Sequence, residues 1–392
     1  MRIGIALLVA GYMLSQFYRA FLAVLAPTLN AEIGATPSDL ALSSGIWFLS
    51  FALMQMPVGL ALDRIGPRLT VATLLGLGGG GGAFVFALAE GPGAVHLAMA
   101  LIGVGCSPVL MAAYYIFARI YPPAVFGTLA GAIIGLGSLG NIAGAAPLAI
   151  LVGWVGWRPA LLGLAGATLL VALALGLFVR DPERPEAPAA GRDSVLDLLR
   201  VPGLWAIMLM MAVAYAPAAA VRGLWAGPYL AEVFGADGRT IGGVTLLMAL
   251  AMVAGNFAYG PLDRLFGTRK WVVFWGNAAA ALCLAALALR PAAGVWPAAA
   301  FLAALGLFGS SFPAIMAHGR AFFPPHLVGR GVTLLNMFSI GGAGVLQFAS
   351  GRVHRAVSDG ALTPEAPFAA LFLFFLLPLL GGLALYLFSR DA

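Results

Sequence analysis

Twelve long apolar stretches follow one another along this chain of 392 residues, separated only by short polar segments. A helix of about 20 apolar residues crosses the ~30 Å hydrocarbon core of a bilayer and satisfies its own backbone hydrogen bonds there. The sequence therefore predicts an all-α membrane protein. The predicted transmembrane helices are residues 4–29, 41–62, 69–89, 95–117, 127–152, 159–179, 204–230, 241–262, 271–289, 295–317, 331–351 and 367–388.

Charged residues make up only 9% of the chain, against roughly a quarter of an average soluble domain. This composition excludes a soluble globular protein. The chain also lacks the phosphate-binding pattern G-x-x-x-x-G-K-[ST], and no paired acid and base or nucleophile lies within a predicted span. We therefore expect neither an enzyme nor a cofactor. The glycine run 78–82 lies inside an apolar span and indicates helix packing instead.

The positive charges are distributed unevenly about the predicted spans. Of the 21 Lys and Arg residues, fourteen fall on one side, five on the other and two inside spans. The positive-inside rule then predicts a multi-pass protein of a bacterial-type inner (plasma) membrane with both termini cytoplasmic. The net charge of +6 follows from this topology and does not indicate nucleic acid. The first apolar stretch is too long for a signal-peptide core, so we expect a mature helix there.

Three segments of the first half recur in order in the second half, at an offset near 200 residues. The paired segments are PTLNAEIGA (27–35) with PYLAEVFGA (228–236), LALDRIGPRLTV (60–71) with GPLDRLFGTRKWVV (260–273), and ARIYPPAVFGTL (118–129) with RAFFPPHLVGRG (320–331). Such repeats indicate two pseudo-symmetric six-helix bundles. We assign them to residues 1–180 and 204–392, joined by a cytoplasmic linker, 181–203, in which residues 194–200 could form an amphipathic helix.

The loop after the second span carries the pattern G-x-x-x-D-R-x-G-x-R, formed by Gly59, Asp63, Arg64, Gly66 and Arg68. Gly59 permits close helix approach, Asp63 can face a helix N-terminus or an Arg, and Gly66 permits a tight turn. With the twelve spans and the repeat, this loop resembles the signature loop of the major facilitator superfamily. The resemblance implies the major facilitator fold and a gating role for Asp63, Arg64 and Arg68, which would close the cytoplasmic side in the outward-facing state.

The second half contains a variant of this loop, with Asp263, Arg264 and Arg269. Tyr259 stands where the first copy has glycine, and one extra residue precedes the second glycine. We predict that these three charged residues and Arg119 take part in gating. Ordinary positive-inside anchoring is the alternative explanation for the basic residues of both loops.

Arg19 and Arg222 are the two charged residues placed well inside predicted spans, each in the first span of its half. A guanidinium at membrane depth costs at least ~2.5 kcal/mol and needs an anion, a water-filled cavity or carbonyl groups as partners. All fifteen acidic residues fall in loops or at span ends, so a protein carboxylate is not expected to neutralise either Arg. Because Arg binds carboxylate and phosphate groups bidentately, we predict an anionic substrate.

The first span, GYMLSQFYRAFLAVLAP (11–27), is similar to that of the organophosphate:phosphate antiporters and their organic-anion relatives within the superfamily. The resemblance implies an Arg in the first and in the seventh helix as substrate ligands, matched here by Arg19 and Arg222. The seventh span departs from this pattern, because Arg222 precedes Pro228 by six residues whereas Arg19 precedes Pro27 by eight. Reaching the outer interface is the alternative role of Arg222.

Other polar and aromatic residues inside spans are candidates for binding the substrate. They are Tyr12, Gln16, Tyr18, Tyr114, Tyr115, Trp225, Asn256, Asn336 and Gln347. Tyr and Trp also anchor spans at the interface, and Asn also joins helices. Cys106 and Cys283 lie in separate apolar spans and are interpreted as unpaired small hydrophobes, and the Met residues near 208–211 as packing, so no metal is expected.

The hypothesis favoured by these residues is a monomeric secondary transporter of a small organic anion, either a carboxylate or a phosphate ester. It would work by alternating access of the two halves about a site that contains Arg19 and Arg222. Without an intramembrane carboxylate for a proton relay, exchange of two anions is favoured. The alternatives are a proton-coupled exporter of drug-like or amphiphilic metabolites and a receptor or assembly factor that kept the fold. Membrane lipids are the other expected partners.

Overall fold

The computed structural model describes residues 2–35, 37–144, 146–183, 198–201, 203–324, 327–358 and 363–391. Within these ranges every regular element is a helix and no strand is present, which confirms the all-α prediction. The α-helices are α1 (Arg2–Ile33), α2 (Pro37–Leu53), α3 (Gln55–Arg64), α4 (Pro67–Leu74), α5 (Gly81–Ala87), α6 (Pro92–Cys106), α7 (Val109–Ile120), α8 (Pro123–Ala143), α9 (Ala146–Val155), α10 (Trp157–Phe178), α11 (Leu204–Ala214), α12 (Ala216–Ala220), α13 (Ala226–Phe234), α14 (Gly238–Phe266), α15 (Lys270–Leu289), α16 (Val295–Phe308), α17 (Phe312–Arg320), α18 (Val328–Ser358) and α19 (Ala366–Tyr386).

Twelve helical segments are long and apolar enough to cross a membrane, as predicted. These spans, numbered 1 to 12, are Ile3–Leu22, Leu42–Arg64, Pro67–Ala87, Pro92–Ile120, Pro123–Val155, Trp157–Phe178, Leu204–Phe234, Thr240–Phe266, Lys270–Leu289, Val295–Arg320, Val328–Ser358 and Ala366–Tyr386. Span 7 combines α11, α12, a π-helix over Val221–Trp225 and α13. The amphipathic helix predicted for 194–200 falls largely on 194–197, outside the described residues.

Two compact units make up the chain. Unit 1 comprises Met1–Pro122, Ile133–Val195 and Phe323–Met337, and unit 2 comprises Pro123–Ala132, Leu196–Phe322 and Phe338–Ala392. Each unit therefore contains most of one sequence half and a short segment from the other half. The segment in unit 1 is the beginning of α18, and the segment in unit 2 is the beginning of α8.

The glycine run in span 3 is a packing surface. A π-helix spans Leu75–Gly80, between α4 and α5. A Cβ added to Gly78 would lie 2.7 Å from the carbonyl oxygen of Leu101, and one on Gly105 would lie 2.0 Å from the amide nitrogen of Gly79. Span 3 and span 4 thus approach backbone to backbone, which only glycine permits. This confirms the interpretation of the run from sequence. Cys106 and Cys283 are buried and free, also as predicted.

A further repeat, F-x-R-D, which was not recognised from the sequence, lies at the ends of the sixth and twelfth spans and finishes at Asp181 and Asp391. Asp181 accepts the amide N–H of Arg68 at 2.8 Å. Asp391 accepts the amide N–H groups of Arg269 and Lys270 at 3.2 and 3.0 Å, and also the hydroxyl of Thr268. Asp181 therefore caps the N-terminal end of span 3 and Asp391 that of span 9, where the helix dipole favours negative charge.

The two caps differ because of one substitution between the halves. The first copy has Pro67 at the position equivalent to Thr268, and proline supplies neither an N–H nor a hydroxyl. Burial raises the pKa of the Asp391 carboxyl, but the hydrogen bonds from Thr268, Lys270 and Arg269 outweigh it, so the pKa lies below its ordinary value of 3.8. The Asp391 cap is the stronger of the two.

We expect Asp391→Ala to lower the thermal unfolding midpoint of the purified protein, with a cost of about 1 kcal/mol for the lost cap. Asp181→Ala should cost less, since a single backbone N–H loses its acceptor. Because the folded pKa of Asp391 is depressed, its stabilisation is present above pH 3.8 and is lost as the pH falls through the depressed value. Glu232→Ala, at an exposed position, is the control. Equal midpoints for Asp391→Ala and wild type at pH 7 would contradict the cap.

Candidate functional site

Arg19 lies near the middle of α1, seventeen residues after Arg2 and fourteen before Ile33. Its side chain is half-buried, and its Nε atom is buried without a hydrogen-bond partner. Among the residues that the structure describes, no carboxylate forms an ion pair with it.

Two aromatic rings of span 2 lie under the Arg19 guanidinium. Its Cζ atom is 5.0 Å from the ring centroid of Trp47 and 5.2 Å from that of Phe51. The two rings stack on each other at 5.0 Å with an interplanar angle of 27°. A cation–π contact of this kind contributes about 0.5–2 kcal/mol and holds the guanidinium plane in place. The two rings provide no oxygen acceptor for the N–H groups of the guanidinium, so these groups can still donate hydrogen bonds to an anion.

Sequence reasoning missed Trp47 and Phe51. The signal was available, because an aromatic pair at i and i+4 places both rings on one face of a helix. A sequence does not show which face of span 2 meets span 1, so the contact with Arg19 could not be derived.

Tyr12, Gln16 and Arg19 follow one another at intervals of four and three residues, so they lie on one face of α1. The Gln16 side chain is 5% exposed, and its Oε1 atom is buried without a hydrogen-bond partner. Tyr12 is buried and packs on α8, where a Cβ on Gly137 would lie 2.2 Å from its ring. The structure thus groups Gln16 and Tyr12 with Arg19.

Three other predicted residues of unit 1 are fully buried. The Tyr18 hydroxyl is hydrogen-bonded to Thr168 of α10 at 2.8 Å, away from the face that carries Arg19. The Tyr115 ring lies 4.3 Å from the guanidinium of Arg119. Tyr114 is buried in α7 beside it. These contacts give Tyr18 and Tyr115 evident roles in packing.

Arg222 lies in the π-helix Val221–Trp225 of span 7. A π-helical turn widens the backbone locally and is often found at functional sites. The Arg222 side chain is half-buried, and no ion pair or hydrogen bond links it to another described residue. Arg222 therefore shares with Arg19 a position inside a span and the lack of an acidic partner.

Trp225, in the same turn, donates its indole N–H to the Ser350 hydroxyl at 3.0 Å. Its ring centroid lies 4.7 Å from that of His354, whose Nε2 atom is buried without a hydrogen-bond partner. Sequence reasoning did not single out Ser350 or His354. They lie four residues apart in α18, so they share one face of that helix.

The remaining three predicted binding residues are dispersed. Asn336, in unit 1, donates its side-chain amide to Gln55 at 3.0 Å, a buried pair that joins α18 to α3. Asn256 donates to the carbonyl oxygen of Met252 in its own helix at 2.9 Å. Gln347 is half-buried in α18.

Asp63 binds the N-terminus of α18 within unit 1. Its Oδ1 accepts the amide N–H of Gly329 at 3.0 Å, and its Oδ2 accepts the amide N–H and the Nε–H of Arg330 at 3.2 and 3.0 Å. Arg119 lies 3.9 Å from Oδ1. This carboxylate therefore meets both partners expected of it, a helix N-terminus and an arginine. A Cβ on Gly59 would lie 2.4 Å from Thr333 Oγ1, which explains the glycine.

The second copy of the loop makes weaker contacts, within unit 2. Asp263 Oδ2 lies 3.4 Å from Arg269 Nε, and its Oδ1 is buried without a hydrogen-bond partner. Arg264 donates to the Thr128 hydroxyl at 2.8 Å, and Arg269 donates to the carbonyl oxygen of Pro123 at 3.2 Å. The repeat explains the difference, because Thr128 occupies the position equivalent to Arg330.

The two other charged residues of the first loop lie at the surface. Arg64 is exposed. Arg68 is exposed as well, and it donates its Nε–H to the carbonyl oxygen of Gly176 at 2.6 Å. Between them, Gly66 adopts φ +106°, a conformation that other residues rarely reach, so the predicted turn is confirmed. No group of three His, Cys, Asp or Glu side chains suited to a metal occurs among the described residues.

A family model described as Major Facilitator Superfamily matches residues 8–226 and 220–392. The chain belongs to the major facilitator superfamily, whose members are membrane transporters and not enzymes. It is therefore a multi-pass transporter of this class. The membership confirms the family resemblance, whereas assignment to the organic-anion branch is a separate question.

The structure is similar over its whole length to solved sugar transporters. The proton:xylose symporter XylE, bound to 6-bromo-6-deoxy-D-glucose, has a TM-score of 0.78 and 14% identity over 99% of this chain and 96% of that one. FucP in the outward conformation has a TM-score of 0.77 and 16% identity over 98% and 97%. Another structure of FucP, described as the E. coli fucose:proton symporter, has a TM-score of 0.73. At this identity the similarity shows the fold alone.

One curated relative is similar in part. The uncharacterized transporter YybO of Bacillus subtilis (strain 168) is 29% identical over 174 residues. The match spans 44% of this chain and 39% of the relative, less than half of either protein.

Proposed function

We propose that this protein transports a small organic anion, either a carboxylate or a phosphate ester, and that Arg19 and Arg222 bind it. Its mode of action would be alternating access, as is general for secondary transporters built from repeats. Gln16 and Tyr12 extend the binding surface along α1 from Arg19, while Trp47 and Phe51 fix its guanidinium. Tyr18 and Tyr115 are not assigned a contact with the substrate.

The observation that carries this proposal is that Arg19 has no carboxylate partner among the described residues. Desolvation of a guanidinium at membrane depth costs at least ~2.5 kcal/mol, and a neighbouring carboxylate is the usual compensation. Arg19 has an aromatic pair instead, together with a buried Nε that lacks an acceptor. An anion that enters this site gains a charge-assisted, bidentate contact that water or a neutral sugar cannot match.

Exchange of two anions is the mode of coupling that we propose. Proton-coupled carriers need a titratable group on the transport route, and the carboxylates of the described spans lie close to span ends. Asp63 lies one residue before the end of α3 and Asp263 three residues before the end of α14, whereas Arg19 lies fourteen residues before the end of α1. An exchanger needs no proton relay, because the outward anion resets the carrier.

A ligand screen tests the proposal directly. We expect millimolar glycerol 3-phosphate, gluconate or malate to raise the thermal unfolding midpoint, since a bound ligand stabilises by RT ln(1 + [L]/Kd). Xylose is the neutral control. In proteoliposomes loaded with the stabilising anion, uptake of the labelled anion should exceed uptake into empty vesicles. Stabilisation by xylose alone, or uptake that depends on a proton gradient and not on internal anion, would overturn the proposal.

A second candidate function is proton-coupled transport of an uncharged or amphiphilic solute. It is favoured by the aromatic pair Trp47 and Phe51 and by the solved structures of similar fold, which are described as proton symporters. In that case His354, whose Nε2 atom is buried without a hydrogen-bond partner, is the titratable group that we propose in unit 2. A proton gradient would then drive uptake even when Arg19 is replaced by glutamine.

We also propose that both termini face the cytoplasm and that Asp63 closes the cytoplasmic side of the transporter by holding α18. The excess of Lys and Arg on that side supports the orientation. Domain boundaries at 180 and 204 follow from the repeat.

A further inference from the structure

Unit 2 contains an apolar groove among α14, α15 and α16 with a volume of about 550 Å³. Its walls include Ala258, Leu262, Phe266, Trp271, Trp275 and Phe308. This volume lies in the range of about 300–1,000 Å³ that accommodates small molecules. None of the predicted substrate-binding residues lines it, so the groove is distinct from the sites at Arg19 and Arg222.

The groove opens onto the outer surface of three transmembrane spans. Trp275 and Phe266 are each 65% exposed. Tyr259, which also lines the groove, donates its hydroxyl to the carbonyl oxygen of Phe308 at 2.7 Å. This hydroxyl therefore already has a hydrogen-bond partner within the protein. Because the medium around a transmembrane helix is hydrocarbon, an apolar groove of this kind fits an acyl chain.

Positive charge is concentrated at one end of the groove. The Lys270 ammonium lies 5.4 Å from the ring centroid of Trp271, which lines the groove. It donates to the carbonyl oxygens of Leu387 and Ser389 at 2.7 and 2.8 Å, so one of its three protons remains available. Arg264, in the last turn of α14, is exposed and lies nearby in the sequence.

The nearby carboxylates do not cancel this charge. The segments 263–270 and 390–391 carry four cations, Arg264, Arg269, Lys270 and Arg390, and two anions, Asp263 and Asp391. Asp391 is already engaged by three donors of the 268–270 segment. The end of the groove therefore complements a negatively charged headgroup, with Trp271 at the level where indoles favour the membrane interface.

We propose that this groove binds one anionic glycerophospholipid, with an acyl chain along Trp271 and Trp275 and the phosphate beside Lys270. The groove supplies the shape for the chain, and the basic end selects the charge of the headgroup. The site does not depend on which solute the protein transports.

Native mass spectrometry of the full-length protein tests this site, with phosphatidylglycerol and phosphatidylcholine of identical chains as probes. Wild type should retain one phosphatidylglycerol roughly tenfold more strongly than phosphatidylcholine, as expected for one or two cations at the headgroup. Ala258→Phe fills the groove and should abolish this retention. Ala254→Phe, one turn away at an exposed position outside the groove, is the matched control and should bind as wild type.

The charge is tested separately by Lys270→Gln, which removes the positive charge and keeps a polar hydrogen-bond donor at this position. It should retain lipid but lose the preference for phosphatidylglycerol. Equal retention of both lipids by wild type, or wild-type retention by Ala258→Phe, would overturn the proposal. So would displacement of the lipid by glycerol 3-phosphate, which would make the groove a solute site, or a dimer mass in place of bound lipid, which would make it an interface.

Discussion

Replacing Arg19 by glutamine is expected to reduce anion transport by two orders of magnitude or more, while the protein becomes no less stable. The loss follows because glutamine cannot form the bidentate, charge-assisted contact. Two hydrogen bonds to a charged group contribute about 3 kcal/mol, a factor of roughly a hundred. Transport is measured as uptake into proteoliposomes loaded with the anion that stabilises the wild type.

The stability readout separates a binding residue from a structural one. Arg19 has no acidic partner among the described residues, so its removal takes away a desolvation cost along with the cation–π contacts to Trp47 and Phe51. The unfolding midpoint without ligand should therefore stay equal or rise, and the stabilisation by anion should vanish. A structural Arg would show the reverse, a lower midpoint with ligand stabilisation retained.

Two control variants sharpen this experiment. Arg355→Gln removes the same charge from an exposed position near the end of α18 and should transport as wild type. Arg19→Lys keeps the charge but not the planar fork, so it should retain a small part of the activity. Wild-type anion exchange by Arg19→Gln would exclude Arg19 as the anion ligand.

The fold could be predicted from sequence because length and polarity alone select transmembrane helices. A span needs about 20 apolar residues whatever its neighbours are, so the number of spans did not depend on tertiary contacts. The repeat and the G-x-x-x-D-R-x-G-x-R loop then indicated the family. Span ends were less well predicted, since Pro123 and Phe266 extend helices beyond the apolar residues that define them.

Sequence could predict only those residues of the candidate site whose type is unusual inside a transmembrane span. Arg19 is conspicuous in a span wherever its neighbours lie. Trp47 and Phe51 belong to the site only because span 2 turns their face toward Arg19. The sequence of an almost wholly apolar helix has no polar face from which this orientation could be predicted. The pairs formed by Asp63 with Arg330 and by Asn336 with Gln55 join residues more than 260 positions apart, so neither partner could be chosen from sequence.

Asp63→Asn is expected to have the second large effect, and the second copy of the loop supplies its control. Asp63 accepts two backbone N–H groups and the Nε–H of Arg330, and the amide that replaces it loses the charge and directs N–H groups at donors. We expect the interaction of residue 63 with the start of α18 to weaken by about 3 kcal/mol and the exchange rate to fall roughly a hundredfold. Asp263→Asn should cost far less, because that carboxylate has one long contact, to Arg269 at 3.4 Å.

A double-mutant cycle shows whether the Asp63 contact itself carries the effect. If Asp63 acts through Arg330, the double variant Asp63→Asn with Arg330→Gln should be no slower than Asp63→Asn alone, because the second change removes a partner already lost. Additive losses would mean that the two residues act independently. Equal losses for Asp63→Asn and Asp263→Asn would mean that the first loop contributes no more to gating than the second. The asymmetry is expected from the repeat itself, since threonine stands at position 128 where arginine stands at 330, and only the arginine adds a positive charge to its hydrogen bond with the carboxylate.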